Sequence, residues 1–179
     1  AAPVALLLLL WGPVARAQVA PACGPITVTT LADTGVGSLR QALADVCPGE
    51  TIRFAAELTA SGLVTITLTG DELLVAKSMT IEGPGAELLA VRGNSEHRVF
   101  HVESNVVAAI SGLTIRDGGK YSIESGGSIY NEGALTLFGT IVVSNAAAVG
   151  GGIDNVGYLT LLESTVAQNI AGERGGGIN

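Results

Sequence analysis

The sequence predicts an all-β protein: a right-handed parallel β-helix, or solenoid, that begins with a short N-terminal capping helix. Similar residues recur every 24 positions, as in Asn131 with Asn155 and Leu135 with Leu159. The apolar runs within each repeat are short and alternate with polar residues, as the residues of β-strands do. The composition, with 25 Gly and 4% aromatic residues, favours β structure that is rich in turns.

The length of the repeat decides how its strands can pair. Each unit reads as strand, turn, strand, turn, with no room for a crossover helix. Strands at this spacing can stack in register only if the chain coils, which adds one rung to each of two or three parallel sheets every ~4.8 Å. We therefore expect Leu137 and Leu161, and likewise Val142 and Val166, to stack inside the coil.

Weaker copies of these strands precede the regular repeats. Residues 64–69 and 99–102 alternate as strands do. Residues 79–83 and 113–118 resemble each other, and we predict that both form the second strand of a rung. Because their spacing is longer than one regular repeat, a loop must then protrude between them.

One segment, residues 38–46, has the period of a helix instead. Its apolar residues recur at helical spacing, and Ser38 with Gln41 forms a capping box in which each side chain satisfies a backbone N–H. Pro48 and Gly49 end the helix. We expect this helix to cover the open sheet edges and apolar core of the first coil, which prevents aggregation through that end.

Residues 1–17 have the pattern of a secretory signal peptide. An apolar run at residues 5–11 is followed by a small-x-small triplet at residues 15–17, which predicts cleavage after Ala17. A membrane anchor is the alternative, but the run is much shorter than the ~20 residues that span a bilayer. We expect an exported protein that is secreted, on the cell surface or in the outer membrane.

The chain divides into three predicted parts: the signal peptide (1–17), a cap with the first irregular coils (18–110), and regular repeats of about 24 residues (111–179). The chain starts at Ala1, not at Met, and stops within a repeat. We therefore expect a chain that is truncated at both ends. No segment after the signal is long and apolar enough to predict a transmembrane helix.

The charge balance is acidic. The formal net charge is −7, and loss of Arg16 with the signal peptide would make it −8. Nucleic-acid binding depends on basic patches, so we expect no nucleic-acid partner.

The two cysteines, Cys23 and Cys47, both lie early in the predicted mature chain. Export permits a disulfide, and a single pair leaves no choice of connectivity. Two free thiols are the alternative. Neither Cys has a second Cys or a His at zinc-ligand spacing, which disfavours a metal site.

Four asparagines recur at the predicted corners of the coil: Asn131, Asn145, Asn155 and Asn169. We interpret them as structural and not as catalytic or ligand-binding residues. Asn tolerates the left-handed backbone conformation of sharp turns. Stacked Asn side chains also hydrogen-bond along a ladder.

Several segments carry a resemblance to a known family. They read Gly-Ser-Leu-Arg-Gln-Ala at residues 37–42, Pro-Gly-Glu-Thr-Ile-Arg-Phe at 48–54, Lys-Ser-Met-Thr-Ile-Glu-Gly at 77–83 and Arg-Val-Phe-His-Val at 98–102. Together they resemble the CSLREA-type N-terminal region of bacterial right-handed β-helix repeat proteins, with Gly in place of Cys and Gln in place of Glu.

The later repeats add to this resemblance. Their Gly-Gly-x-Ile and Ser-Asn units are similar to those of polymorphic outer-membrane proteins. The resemblance implies a β-helix that is a surface or secreted passenger. It implies no particular activity, because a fold does not determine function.

Carboxylate pairs would be needed if the coil hydrolysed glycosides. Asp117 and Glu124 are near in sequence, and Glu132 and Asp154 lie on successive repeats. The second pair does not keep the spacing of the repeat, so its members should not stack directly. We interpret all four as carboxylates of exposed turns.

A lyase would need acidic calcium ligands and a basic proton acceptor. Arg116, Asp117 and Lys120 form a compact group of mixed charge, but its position directly after a strand is typical of a surface turn. His97 and His101 would lie ~13 Å apart on a strand, too far for a shared metal. We therefore predict no catalytic residue, no metal site and no cofactor.

Three functions remain open for such a chain. We favour a non-catalytic surface or secreted protein that presents a rigid face for adhesion or for binding a protein or polysaccharide ligand. The alternative is a polysaccharide lyase or hydrolase of the pectin-lyase-like type whose active rungs lie outside these residues. A third hypothesis is a structural spacer for a distal domain.

Overall fold

A computed structural model describes residues 23–119 and 125–179. The predicted signal peptide lies outside these residues. In chain order, the described elements are β1 (Ile26–Val28), α1 (Leu39–Asp45), β2 (Thr51–Phe54), a 3₁₀ turn (Ala56–Thr59), β3 (Val64–Thr67), β4 (Leu73–Val75), β5 (Met79–Glu82), β6 (Leu89–Arg92), β7 (Phe100–Val102), β8 (Val107–Ser111), β9 (Thr114–Arg116), β10 (Ile129–Asn131), β11 (Ala134–Phe138), β12 (Ile141–Val143), β13 (Ala146–Val149), β14 (Ile153–Asn155), β15 (Tyr158–Leu162), β16 (Thr165–Ala167) and β17 (Ile170–Arg174).

The described strands pair in parallel and form a β-solenoid of about six turns. Sheet A has the order β1-β2-β5-β8-β11-β15, sheet B has β16-β12-β9-β6-β3, and sheet C has β14-β10-β7-β4. A small sheet D pairs β13 with β17, so the regular repeat contributes the four strands β10 to β13, more than the two that its sequence predicts. The prediction of an all-β, parallel β-helix with little helix is therefore confirmed.

Columns of equivalent apolar residues fill the coil. In sheet A, one column runs through Ile52, Ile81, Ile110, Leu137 and Leu161 on successive rungs. The first four side chains are buried, and Leu161 packs half-buried against the same cluster. Burial of each such side chain contributes about 1.5–3 kcal/mol relative to exposure, so these columns stabilise every rung.

Coil length varies along the chain, and this variation made one strand prediction wrong. The coil from Ile52 to its register partner Ile81 is longer than the coil from Leu135 to its register partner Leu159. Residues 79–83 and 113–118 were expected to be equivalent, but β5 lies in sheet A and β9 in sheet B. The two segments resemble each other because both sheets need the same alternation of an inward apolar and an outward polar residue.

Helix α1 packs on the first coil, as the sequence predicts. Its buried residues Leu39 and Leu43 belong to the same core cluster as the strands. Ser38 accepts a hydrogen bond from the backbone N of Gln41 at 3.1 Å. The reciprocal half of the predicted capping box is wrong, because the Gln41 amide donates instead to Asp45 within the helix and the Ser38 backbone N donates to Gly35.

Two connections tie this helix to the coil. A disulfide joins Cys23, just before β1, to Cys47, just after α1, with the Cα atoms 5.7 Å apart. Lys77 Nζ donates to the carbonyl oxygens of Ala44 and Val46 at 2.6 and 3.1 Å. A cation beside the free carbonyls of the last helical turn is favourable.

In the part of the chain that the structure describes, no helix is long and apolar enough to cross a membrane.

Candidate binding face

The outer surface of sheet C carries a column of side chains that strand register brings together. Leu74 on β4 pairs with His101 on β7, which pairs with Tyr130 on β10, and Tyr130 pairs with Asp154 on β14. Each of these residues lies between two inward-pointing neighbours of its strand, so its side chain faces outward. We call this column and the polar side chains that flank it (Glu72, Arg98 and Glu132) the sheet C face.

His101 is held between two carboxylates from neighbouring coils. Its Nδ1 lies 2.9 Å from Glu72 Oε1, just before β4, and its Nε2 lies 2.9 Å from Glu132 Oε2, just after β10. A neutral imidazole has one N–H, so both contacts are hydrogen bonds only when both ring nitrogens carry protons or a carboxyl is protonated. The three side chains span three successive coils and fix one another.

Arg98 also holds several parts of the sheet C face together. Its Nη1 donates to Glu72 Oε2 at 2.6 Å, and its Nε and Nη2 donate to the carbonyl oxygens of Ser125 and Gly126. Its guanidinium also lies over the Tyr130 ring, 5.0 Å from the centroid. Arg98 therefore fixes the carboxylate, the aromatic ring and the turn that precedes β10 relative to one another.

A groove of about 510 Å³ opens beside this network. Its lining consists of Asp71, Glu72, Leu74, Glu96, His97 and Arg98. The apolar floor comes from Leu74, whose side chain is exposed on the surface.

His97 and His101, which were predicted to lie too far apart to share a metal, have different surroundings in the structure. Both ring nitrogens of His101 face carboxylates, whereas His97 lines the groove. Within residues 23–119 and 125–179, no group of three or more His, Cys, Asp or Glu side chains could hold a metal ion. The carboxylates predicted not to stack are engaged separately: Glu132 contacts His101, and Asp154 accepts a hydrogen bond from Asn179. Asp154 lies within β14 and is buried, so the prediction that it belongs to an exposed turn is wrong.

The remaining charged candidates lie on sheet B or outside the described residues. Arg116 Nε donates to the carboxylate of the adjacent Asp117 at 3.0 Å. Lys120 and Glu124 are outside the part of the chain that the structure describes.

The four asparagines form two hydrogen-bonded pairs across adjacent rungs. Asn131 Nδ2 donates to Asn155 Oδ1 at 2.6 Å, and Asn145 Nδ2 donates to Asn169 Oδ1 at 2.9 Å. Asn131 and Asn145 are buried.

The expected left-handed backbone at these asparagines is wrong. Positive φ angles fall on the residues just before two of them, 58° at Ser144 and 54° at Gln168. Asn145 and Asn169 instead turn their side chains inward, where the amide groups replace backbone partners that the corner leaves unpaired.

Sequence reasoning did not detect the contacts of the sheet C face. Glu72, Arg98, His101 and Glu132 lie in coils of unequal length, 26 to 31 residues apart along their contacts. A search at one fixed spacing cannot align them. The one indication in the sequence was the segment 98–102, which is part of the family resemblance and contains both Arg98 and His101.

No family model, no curated protein and no solved structure matches this chain. The β-solenoid is therefore shown by the strand pairing alone. The similarity to CSLREA-type and polymorphic outer-membrane proteins stays a prediction that rests on the residues quoted for it.

Proposed function

We propose that this chain is an exported β-helix protein, on the cell surface or in the outer membrane, whose sheet C face is a rigid, non-catalytic binding surface. Its ligand would be a protein or a polysaccharide. The observation that carries the proposal is the clamp of His101 between Glu72 and Glu132. Side chains that are already fixed lose little conformational entropy when a ligand binds, which favours recognition.

The chemistry of the face also supports binding. Tyr130 offers an amphipathic ring beside His101 and Arg98, Leu74 adds exposed apolar surface on the other side of His101, and Glu72 and Arg98 supply charge. Aromatic and arginine side chains of this kind dominate the energetics of binding surfaces. Glu72 and Glu132 both contact the ring of His101, which lies between them, so the two carboxylates do not face an open space in which a glycosidic bond could lie.

Export has separate support. The apolar run at residues 5–11 and the triplet at residues 15–17 fit a signal peptide. A Cys23–Cys47 disulfide fits an oxidising compartment. A fusion of the complete N-terminus to alkaline phosphatase, which is active only after export, tests this step. An inactive fusion that stays inside the cell would contradict it.

The binding proposal is tested on immobilised glycans and extracellular proteins. Tyr130→Ser should abolish the binding seen with the wild-type protein. Phe138→Ser is the matched control, because Phe138 is an outward aromatic residue on sheet A, 48% exposed. An equal loss of binding in both variants would contradict the assignment of the sheet C face as the binding surface. Release of sugars or unsaturated products from pectin or alginate would instead favour the polysaccharide-degrading enzyme.

A further inference from the structure

Two arginines lie side by side on the outer surface of sheet B. Arg92 ends β6 and Arg116 ends β9, and the two residues are register partners on adjacent rungs. Their strand neighbours Val91 and Ile115 are buried in the core, so both guanidinium groups face outward. Adjacent rungs are only ~4.8 Å apart, which brings the two like charges close together.

One carboxylate serves both cations. Asp117 Oδ2 lies 3.0 Å from Arg116 Nε and 3.5 Å from Arg92 Nε. The first contact is a hydrogen bond, whereas Arg92 Nε is buried and has no hydrogen-bond partner among the described residues. Among the described side chains, two positive charges therefore share one carboxylate, on a chain with a formal charge of −7.

Three other arginines of the described coils, Arg40, Arg53 and Arg98, also form ion pairs, but none of them shares its carboxylate with a second arginine. Arg53 pairs with Glu82, its register partner in sheet A, at 2.8 Å. Arg40 and Arg98 each bond to a carboxylate and to carbonyl oxygens. By contrast, no Nη atom of Arg92 or Arg116 donates a hydrogen bond to another described residue.

We propose that Arg92 and Arg116 form a binding site for an oxyanion of the sulfate, phosphate or carboxylate type. The Nη groups of the two adjacent guanidiniums, which donate to no other described residue, present several N–H donors to one small anion, the fork geometry that oxyanions accept best. The anion supplies the second counter-ion that Asp117 alone does not provide. The site lies on sheet B and does not depend on the sheet C face.

Asp117 offers a specific test, because its carboxylate competes with the anion for the two guanidinium groups. Its backbone φ is 50°, a conformation that Asn tolerates as well as Asp does. Asp117→Asn therefore keeps the turn and removes the internal carboxylate. We expect this variant to bind the oxyanion at least tenfold more tightly than the wild-type protein does.

The experiment is isothermal titration calorimetry of the purified protein with sodium sulfate, sodium phosphate and sodium acetate, each at an ionic strength matched with NaCl. We expect saturable binding with a Kd of about 1 mM or lower. Arg92→Gln and Arg116→Lys should each weaken it at least tenfold, since the second keeps the charge but loses the fork. Arg53→Gln, the matched control from a one-to-one pair, should leave it unchanged.

Circular dichroism of each variant separates loss of binding from loss of folding. If Arg92→Gln fails to fold, Arg116→Lys and Asp117→Asn decide the matter. The proposal is overturned if the wild-type protein shows no saturable binding of any of the three anions. Equal weakening by Arg53→Gln, or weaker binding by folded Asp117→Asn, would also overturn it.

Discussion

Arg40 and Asp33 join the capping helix to the coil through a two-point ion pair. Arg40 Nε and Nη2 donate to Asp33 Oδ1 at 3.0 and 2.7 Å. The other carboxylate oxygen accepts from the backbone N atoms of Thr69 and Gly70 at 2.9 and 3.1 Å. Arg40 also donates to the carbonyl oxygen of Glu72, so the same pair positions the turn that carries a residue of the sheet C face.

The first prediction concerns acid stability. Burial raises the pKa of Asp33, but the hydrogen bonds from Thr69 and the charge and hydrogen bonds of Arg40 outweigh it, so the pKa is lowered below its usual 3.8. A lowered pKa in the folded state gives stability that is fully present above pH ~4 and is lost as the pH falls through the folded-state value. We expect Asp33→Asn to cost about 2–3 kcal/mol at pH 7 and clearly less at pH 3.

Urea unfolding at both pH values measures this difference. Glu82→Gln is the control, because Glu82 pairs with Arg53 on the surface, where both side chains are about half exposed. Such pairs contribute about 0–1 kcal/mol, so this variant should change little at either pH. An Asp33→Asn deficit that is the same at pH 7 and pH 3 would contradict the assignment.

The second prediction tests which leucines of the last sheet A rung face inward. Leu161 belongs to the inward column, whereas its neighbour Leu162 is outward and 49% exposed. Leu161→Asp places a charge against stacked apolar rungs and should cost about 3 kcal/mol. Leu162→Asp should stay within about 0.5 kcal/mol of the wild-type protein. Thermal unfolding measures the stability of the two variants. Equal melting temperatures would show that the inward and outward faces of this strand are misassigned.

The regular half of the coil could be predicted from sequence because its period is constant. Leu135 with Leu159 and Val142 with Val166 are register partners, as the constant spacing of the repeat implies. The first coils could be predicted only in part. Their turns differ in length, so residues 79–83 and 113–118 looked equivalent although they belong to different sheets.

The polar contacts were harder to predict for a physical reason. The side chain of a turn residue reaches a partner on the next coil, and that partner's number depends on the length of every turn between them. Glu72 with His101, and Asp33 with Thr69, are such cases. An apolar column accepts several apolar residue types of similar volume, whereas a hydrogen bond needs a donor and an acceptor in one particular geometry.

The third prediction is a disulfide between Cys23 and Cys47 in the protein folded under oxidising conditions. Mass spectrometry of the non-reduced digest should show the two peptides linked. The closed loop spans 24 residues and should contribute about 3.5 kcal/mol in the chain-entropy model. Cys23→Ser with Cys47→Ser should lower the free energy of unfolding by about this amount. Two thiols that alkylate freely without reductant would rule the bond out.

The fourth prediction separates two features of one corner of the coil, the buried amide of Asn145 and the positive φ of the residue before it. Asn145 is buried, and its amide accepts from the Gly118 N at 2.8 Å and donates to Asn169 Oδ1 and the Ile115 carbonyl. The positive φ of this corner lies on Ser144, whose side chain makes no hydrogen bond to the described residues. Asn145→Gly should therefore cost about 3 kcal/mol, because it leaves buried backbone groups unpaired.

Ser144→Gly is the matched variant one residue earlier. Gly adopts the left-handed conformation without the penalty of a Cβ atom, so this change should stay within about 1 kcal/mol of the wild-type protein. Chemical denaturation of both variants gives the two free energies of unfolding. A tolerated Asn145→Gly would mean that the amide hydrogen bonds of Asn145 contribute little to the stability of this corner. A large loss with Asn145→Gly alone assigns the corner to the hydrogen-bonded ladder, which holds one rung to the next where the strands end.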